Sequence, residues 1–216
     1  MEPISLENVT RNLSVHIPFY SWHRPVYQHV MLETLQRFWD ASHRSALDVG
    51  GGTGGVAQTI KNLFCLGRVA SVDVENRFLK SLNIETAIYD GRNLPFPDAS
   101  FDCIILMNVL HHVPKKSRLQ LLRECKRVAG AGPLYIKDHV SAGYLDAARL
   151  AVLDLLGNVP FQGMLQANYS TAQEWSDLAA SAGYRVIEQC SGPYRNGLFA
   201  KLFPNRLETT MKWRPV

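Results

Sequence analysis

Residues 45–60, SALDVGGGTGGVAQTI, constrain this chain more than any other stretch. A short apolar run, Ala46-Leu47, leads through Asp48-Val49 into Gly50, Gly51, Gly52, Gly54 and Gly55, five glycines in six positions. A segment with helical character follows from 56 to 62. A strand that enters a glycine turn and leaves it as a helix is how an α/β sheet opens a nucleotide pocket. Glycine is needed because the turn takes positive φ and because a ligand must reach the backbone without meeting a Cβ. Asp48 narrows the ligand. A carboxylate at this helix N-terminus repels a pyrophosphate and suits a phosphate-free ligand that presents cationic groups.

The rest of the chain alternates in the same way. Residues 1–23 read as irregular, with Phe19, Tyr20, Trp22 and Tyr27 close together. Pro25 suits a first helical turn. Val26, Val30, Leu32, Leu35 and Phe38 then keep a helical period to about residue 44. Strands are expected at 45–49, 68–73, 84–89, 101–107 and 133–137, the fourth a nearly continuous apolar run typical of burial on both faces. Helices are expected at 54–63, 76–82, 117–129 and 142–156, followed by a loop to 170. Thr171 and Glu174 form a capping box, and Gly183 stops the helix they start. Strands at 184–189 and 198–203, joined by SGPYRNG, complete a late hairpin.

With 216 residues the chain is long enough for one sizeable core and too short for two ordinary domains. Hydrophobic content of 46% and charged content of 19% are globular values. The net charge of +4 is spread along the chain, which argues against a nucleic-acid surface. The N-terminus carries no secretory pattern, and no apolar run reaches the ~18 residues of a membrane span. Cys65, Cys103, Cys125 and Cys190 show no CxxC spacing and no clustered histidines, so free thiols in a cytoplasmic protein without a metal site are expected.

The D-x-G-x-G-x-G run at Asp48, Gly50, Gly52 and Gly54 resembles motif I of the class I S-adenosylmethionine-dependent methyltransferases. VASVDVEN (69–76), AIYDGRNLPFPDASFD (87–102) and CIILMNVLHHV (103–113) resemble the next three cofactor segments, in order, of its small-molecule, methyltransferase type 11-like branch. The resemblance covers residues 44–140. It implies a three-layer αβα Rossmann-like sandwich with a mostly parallel seven-stranded sheet ordered 3-2-1-4-5-7-6. It also implies a single domain over 1–216, with 1–44 as N-terminal cap and first helix and 141–170 as an acceptor-covering insert. S-adenosylmethionine is the implied cofactor.

On that resemblance, Gly50, Gly52 and Gly54 let the loop touch the methionine part of the cofactor, and Asp48 receives its ammonium. Asp73, with Val74 beside it, accepts the ribose hydroxyls; the other reading is a cap on the following helix. Asp90, before Gly91, accepts the adenine amino group, or simply forms a turn. The backbone of Asn108 passes close to the reactive methyl. His139, leaving the fifth strand on the ligand side, is the preferred general base. His112 is a second candidate, although the LHH run is widespread in this branch and a packing role suits at least one of its histidines. Tyr20 and Trp22 form a lid over the sulfonium, or anchor the first helix as core. Tyr169 is a further pocket-lining candidate.

These readings converge on metal-independent O-, N- or C-methylation of a small molecule by a monomer or homodimer. No Asn-Pro-Pro-aromatic run follows the fourth strand, which disfavours amino-group methylation of DNA. Two rivals stand beside this expectation. One is an enzyme that cyclises or rearranges S-adenosylmethionine without an acceptor. The other is a non-catalytic partner subunit that only binds the cofactor.

Overall fold

The computed structural model describes residues 2–158 and 167–216. Seven strands form one sheet: β1 (Ser45–Val49), β2 (Arg68–Asp73), β3 (Glu85–Ile88), β4 (Cys103–Met107), β5 (Leu134–His139), β6 (Tyr184–Cys190) and β7 (Glu208–Pro215). Their order is β3-β2-β1-β4-β5-β7-β6. The first five are parallel, whereas β7 runs antiparallel to both β5 and β6. The helices are α1 (Leu6–Ser14), α2 (Val26–Phe38), α3 (Gly55–Leu63), α4 (Lys115–Ala129), α5 (Tyr144–Asn158), α6 (Ala172–Ser181) and α7 (Gly197–Leu202).

Strand alternation creates the three layers. Leu47, Val49, Ile104, Leu106, Leu134 and Ile136 point to one face and meet α4 and α6 through Leu121, Leu122, Val128 and Trp175. Ala46, Cys103, Ile105 and Tyr135 point to the other and meet α1, α2 and α3 through Leu13, Leu32, Leu35 and Ile60. β4, CIILM, is therefore apolar at every position, and β1 and β5 are buried on both faces up to the polar residues at their carboxyl ends. The order reverses between β1 and β4, and the crevice above that switch point is where such sheets bind ligands.

The sheet order and layers agree with expectation, but four elements do not. Residues 6–14 are helical, with Ser5 as N-cap accepting from the Asn8 amide at 3.1 Å. The helix from Val26 stops at Phe38, where Trp39 turns extended. No helix forms over 76–82. Leu79 N donates to Thr53 O at 3.1 Å, and Phe78 and Leu82 lie against Gly54, so the segment drapes over the glycine loop. Residues 197–202 are α7 rather than a strand, and the seventh strand begins at Glu208. Leu198, Phe199 and Leu202 are exposed on α7 at helical spacing. The true strand hides from a hydropathy reading because Glu208, Thr209, Thr210 and Lys212 are polar and buried.

Candidate cofactor and acceptor site

Asp48 sits at the end of β1 beneath the glycine loop and is 3% exposed. The loop is held to β2 by Gly50 N and Gly51 N, which donate to Val72 O at 2.7 and 3.1 Å. Two of the loop's positions show why glycine is needed. Gly50 has φ +78°, and a Cβ there would lie 2.7 Å from Val109 Cγ2; at Gly51 a Cβ would lie 1.9 Å from Ser71 Oγ and 2.2 Å from Asp48 Oδ2. A Cβ on Gly52 would meet nothing, so this is the open side of the loop.

Ser71 Oγ donates to Asp48 Oδ2 at 2.8 Å. Burial pushes the Asp48 carboxyl up to about 7; the Ser71 hydroxyl opposes this and Asp73 reinforces it. Asp73, at the end of β2, is also buried. Its Oδ2 accepts from Gly52 N at 2.8 Å and its Oδ1 from Glu75 N at 3.1 Å, with Arg77 Nη2 at 3.4 Å. Val74 stays 44% exposed beside Gly91, whose φ is +76°. Asp90 is exposed, and its carboxylate accepts from Arg92 N, Asn93 N and Asn93 Nδ2 at 2.8, 2.7 and 2.9 Å. Those bonds make the turn that the sequence left open as the second reading of Asp90.

A cavity of about 120 Å³ opens beside Asp48, Gly50 and Gly51, with Tyr27 and Gln28 of α2 and Asn108 on its other walls. A larger hollow of about 380 Å³ lies near Asp40, His43, Asp102 and Arg214. It is at the amino ends of β1, β4 and β5, the wrong end of a parallel sheet for a ligand.

Asn108 takes left-handed backbone (φ +59°), which is uncommon for a side-chain-bearing residue. Its amide donates to Lys137 O at 2.8 Å and its Oδ1 accepts from Lys137 Nζ at 2.5 Å. Lys137 is wholly buried in β5. Its ammonium also reaches Glu208 Oε2 and Tyr27 Oη and lies over the Tyr27 ring, 4.7 Å from the centroid. Glu208 is paired in addition with Arg195 and, at 3.2 Å, with His139 Nδ1. Burial favours a neutral Glu208, but Lys137 and His139 outweigh it and hold the carboxyl well below its usual range.

His139 is 4% exposed, and its Nε2 lies 3.1 Å from Asp154 Oδ1. Burial disfavours its charge, yet Glu208 and Asp154 prevail and raise it to about 9. Tyr169 Oη donates to the other Asp154 oxygen at 2.5 Å. His111 Nδ1 meets Asp138 Oδ1 at 2.6 Å, and the His112 ring lies against that of His111, tilted by 48° with centroids 4.0 Å apart.

The structure thus gathers Asp48, Gly50, Gly52, Gly54, Asp73 and Asn108 around one crevice, and His112 and His139 around a polar knot next to it. Tyr20 is not on the cavity wall itself. It is 7% exposed among the residues of α1 and α2, and its Oη accepts at 2.8 Å from Nε2 of Gln28, which lines the cavity. Trp22 is 85% exposed. Lys137, Glu208, Asp154 and Arg195 went unread in the sequence. The signal for Lys137 was a lysine inside an apolar strand, PLYIKDH.

Residues 47–136 match the family model described as a methyltransferase domain. Over 100 residues the chain is 34% identical to a ubiquinone/menaquinone biosynthesis C-methyltransferase UbiE of Hahella chejuensis, covering 41% of this chain and 39% of that protein. Over 159 residues it is 25% identical to a norreticuline-7-O-methyltransferase of Papaver somniferum, covering 74% and 44%. The chain therefore spans about two fifths of the length of these curated relatives. Among solved structures, a SAM-dependent methyltransferase from Aquifex aeolicus superposes with a TM-score of 0.59 at 19% identity, over 86% of this chain and 89% of that one. The pyocyanin biosynthetic protein PhzM gives 0.61 at 18%, over 94% and 64%. The match over residues 47–136, the motif segments and the sheet order support a class I S-adenosylmethionine-dependent methyltransferase of the type 11 branch.

Proposed function

We propose that the chain transfers the methyl group of S-adenosylmethionine to an O, N or C atom of a small molecule. The observation that carries this is Asp48: a buried carboxylate beside the cavity whose acidity is set by burial, Ser71 and Asp73, with no cation among these influences. Such a group is costly unless a ligand brings the positive charge. The cofactor's ammonium is of the right sign, and the open face at Gly52 leaves room for backbone contact. Asp73, Val74 and Gly91 would hold the nucleoside end along the exposed shelf after β2, and Asp90 would shape that shelf through its turn.

When bound, S-adenosylmethionine supplies an electrophilic methyl on a cationic sulfur. The chain's own residues hold an acceptor in line and exclude water. Asn108, fixed by Lys137, brings backbone against the cavity. Both ring nitrogens of His139 face carboxylates, so this histidine holds charge at Glu208 and Asp154 rather than serving as a ready proton acceptor. Asp154 and Tyr169 of the expected insert 141–170 border this side, and residues 159–166 of that insert lie outside the described residues.

The test is product analysis by mass spectrometry after incubation with S-adenosylmethionine and a cell extract. Formation of S-adenosylhomocysteine with a methylated small molecule is expected. Methylthioadenosine from the cofactor alone would replace this reading with a rearrangement. Binding without either product would replace it with a cofactor-holding subunit.

A further inference from the structure

We propose that His111, His112 and Asp154 bind a divalent metal ion of the zinc class, on the acceptor side of the cofactor cavity. The donor atoms of these three residues all lie within 4.8 Å of one another. The histidines are adjacent in the loop after β4, and Asp154 arrives from α5, 42 positions after His112. Sequence spacing therefore gave no metal motif, and the fold assembles one.

The surroundings are those of a metal-binding imidazole. His111 is 1% exposed. Its Nδ1 meets Asp138 Oδ1 at 2.6 Å, and Asp138 is itself fixed by Leu110 N on Oδ2 at 2.9 Å and His139 N on Oδ1 at 2.7 Å. A carboxylate that accepts from one ring nitrogen leaves the lone pair on the other, the arrangement seen behind metal-bound histidines. That other nitrogen, Nε2, is buried and has no hydrogen-bond partner. It lies 3.6 Å from Asp154 Oδ2, too far for a hydrogen bond. Two ligands of one tetrahedral zinc, each at ~2.0–2.1 Å, are about 3.3 Å apart, so the gap is close to that of two ligands sharing an ion. Asp154 is oriented in turn by His139 on Oδ1 and Tyr169 on Oδ2.

Two imidazoles and one carboxylate suit Zn²⁺ or Fe²⁺ and do not suit Mg²⁺ or Ca²⁺, which prefer oxygen throughout. Three protein ligands leave a coordination position for water or an acceptor atom. The knot His139–Glu208–Lys137–Asn108 links this cluster to the cavity wall. The inference rests on these side chains and not on the cofactor reading.

The test is titration of the metal-free full chain with Zn²⁺ against a chromogenic chelator, with Mg²⁺ as control and Co²⁺ as spectroscopic probe. One Zn²⁺ per chain with Kd below about 1 μM is expected, along with a Co²⁺ visible band and no competition from millimolar Mg²⁺. His112→Ala and Asp154→Asn should each weaken Zn²⁺ binding at least ~100-fold, and Asp138→Asn by about 10- to 100-fold. His112 is only partly buried, so its variant decides the matter if Asp154→Asn does not fold. Absence of saturable binding, or Zn²⁺ binding that is unchanged in the ligand variants, would overturn the proposal. Calorimetry with S-adenosylmethionine on the same samples separates failure here from failure of the cofactor assignment.

Discussion

Asp48 links cofactor affinity to pH in a way that can be worked out from the structure. Its carboxyl moves from 3.8, the ordinary aspartate value, to about 7 in the folded chain. A cationic ligand binds only the ionised form well. At pH 5 about 1% of the free protein carries that form, so binding must first remove a proton. The penalty is about 2.7 kcal/mol at 1.36 kcal/mol per pH unit, and close to nothing at pH 8. The Kd for S-adenosylmethionine should therefore rise about 100-fold from pH 8 to pH 5, with close to one proton released per ligand bound near pH 6. Calorimetry in two buffers of different ionisation enthalpy counts that proton. Asp48→Asn keeps a partner for Ser71 and removes the charge. It should weaken binding at pH 8 by roughly 2–3 kcal/mol and abolish the pH dependence. The free protein should respond in the opposite sense. A folded-state pKa above the unfolded one means stability is undiminished below about pH 4 and falls as pH rises to about 7. The full change is about 4 kcal/mol, and Asp48→Asn should not show it. A Kd that is flat between pH 5 and 8, or an Asn variant that keeps the slope, would refute the reasoning.

Three further outcomes are expected. Asp73→Ala should raise the Kd for S-adenosylmethionine about thirty-fold, or ~2 kcal/mol, because charge-assisted acceptance from ribose is lost along with the bond to Gly52 N; an unchanged Kd in calorimetry would place Asp73 outside the site. Lys137→Met leaves Glu208 buried with less compensation and should cost about 3–5 kcal/mol in urea unfolding. The double variant with Glu208→Gln should recover part of that loss, and no recovery would mean the pair is not coupled. His139→Gln should lower turnover while the Kd for cofactor stays within about two-fold, and equal losses in both would tie His139 to the cofactor half of the site.

The legible and the illegible parts of this chain differ in physical kind. The central parallel strands were readable because burial on both faces gives them apolar runs, as in CIILM of β4 and ALDV of β1. The capping box at Thr171 and Glu174 was readable because both of its bonds are local. The glycine loop was readable for a similar reason, since positive φ at Gly50, Gly52 and Gly54 leaves a mark on residue choice. Residues 76–82 show what local pattern misses. Their backbone is claimed by Thr53 and their side chains by the space over Gly54, and neither neighbour is local in sequence.

β7 and the partners of His139 in the polar knot were illegible for one shared reason. Glu208, Lys137, His139 and Asp154 are charged or polar, so hydropathy assigns each to the surface, yet the fold buries all four. Each is tolerable only because the others are present. Lys137 alone in β5 would be an uncompensated cation in the core, and it is the antiparallel return of β7 that sets Glu208 opposite His139 in the register and within reach of Lys137. The reversed strand therefore does more than close the sheet. It delivers the carboxylate that lets β5 end in Lys-Asp-His beside the cavity. A chain that kept the parallel half of the fold and lost β7 would have to lose those charges from β5 as well.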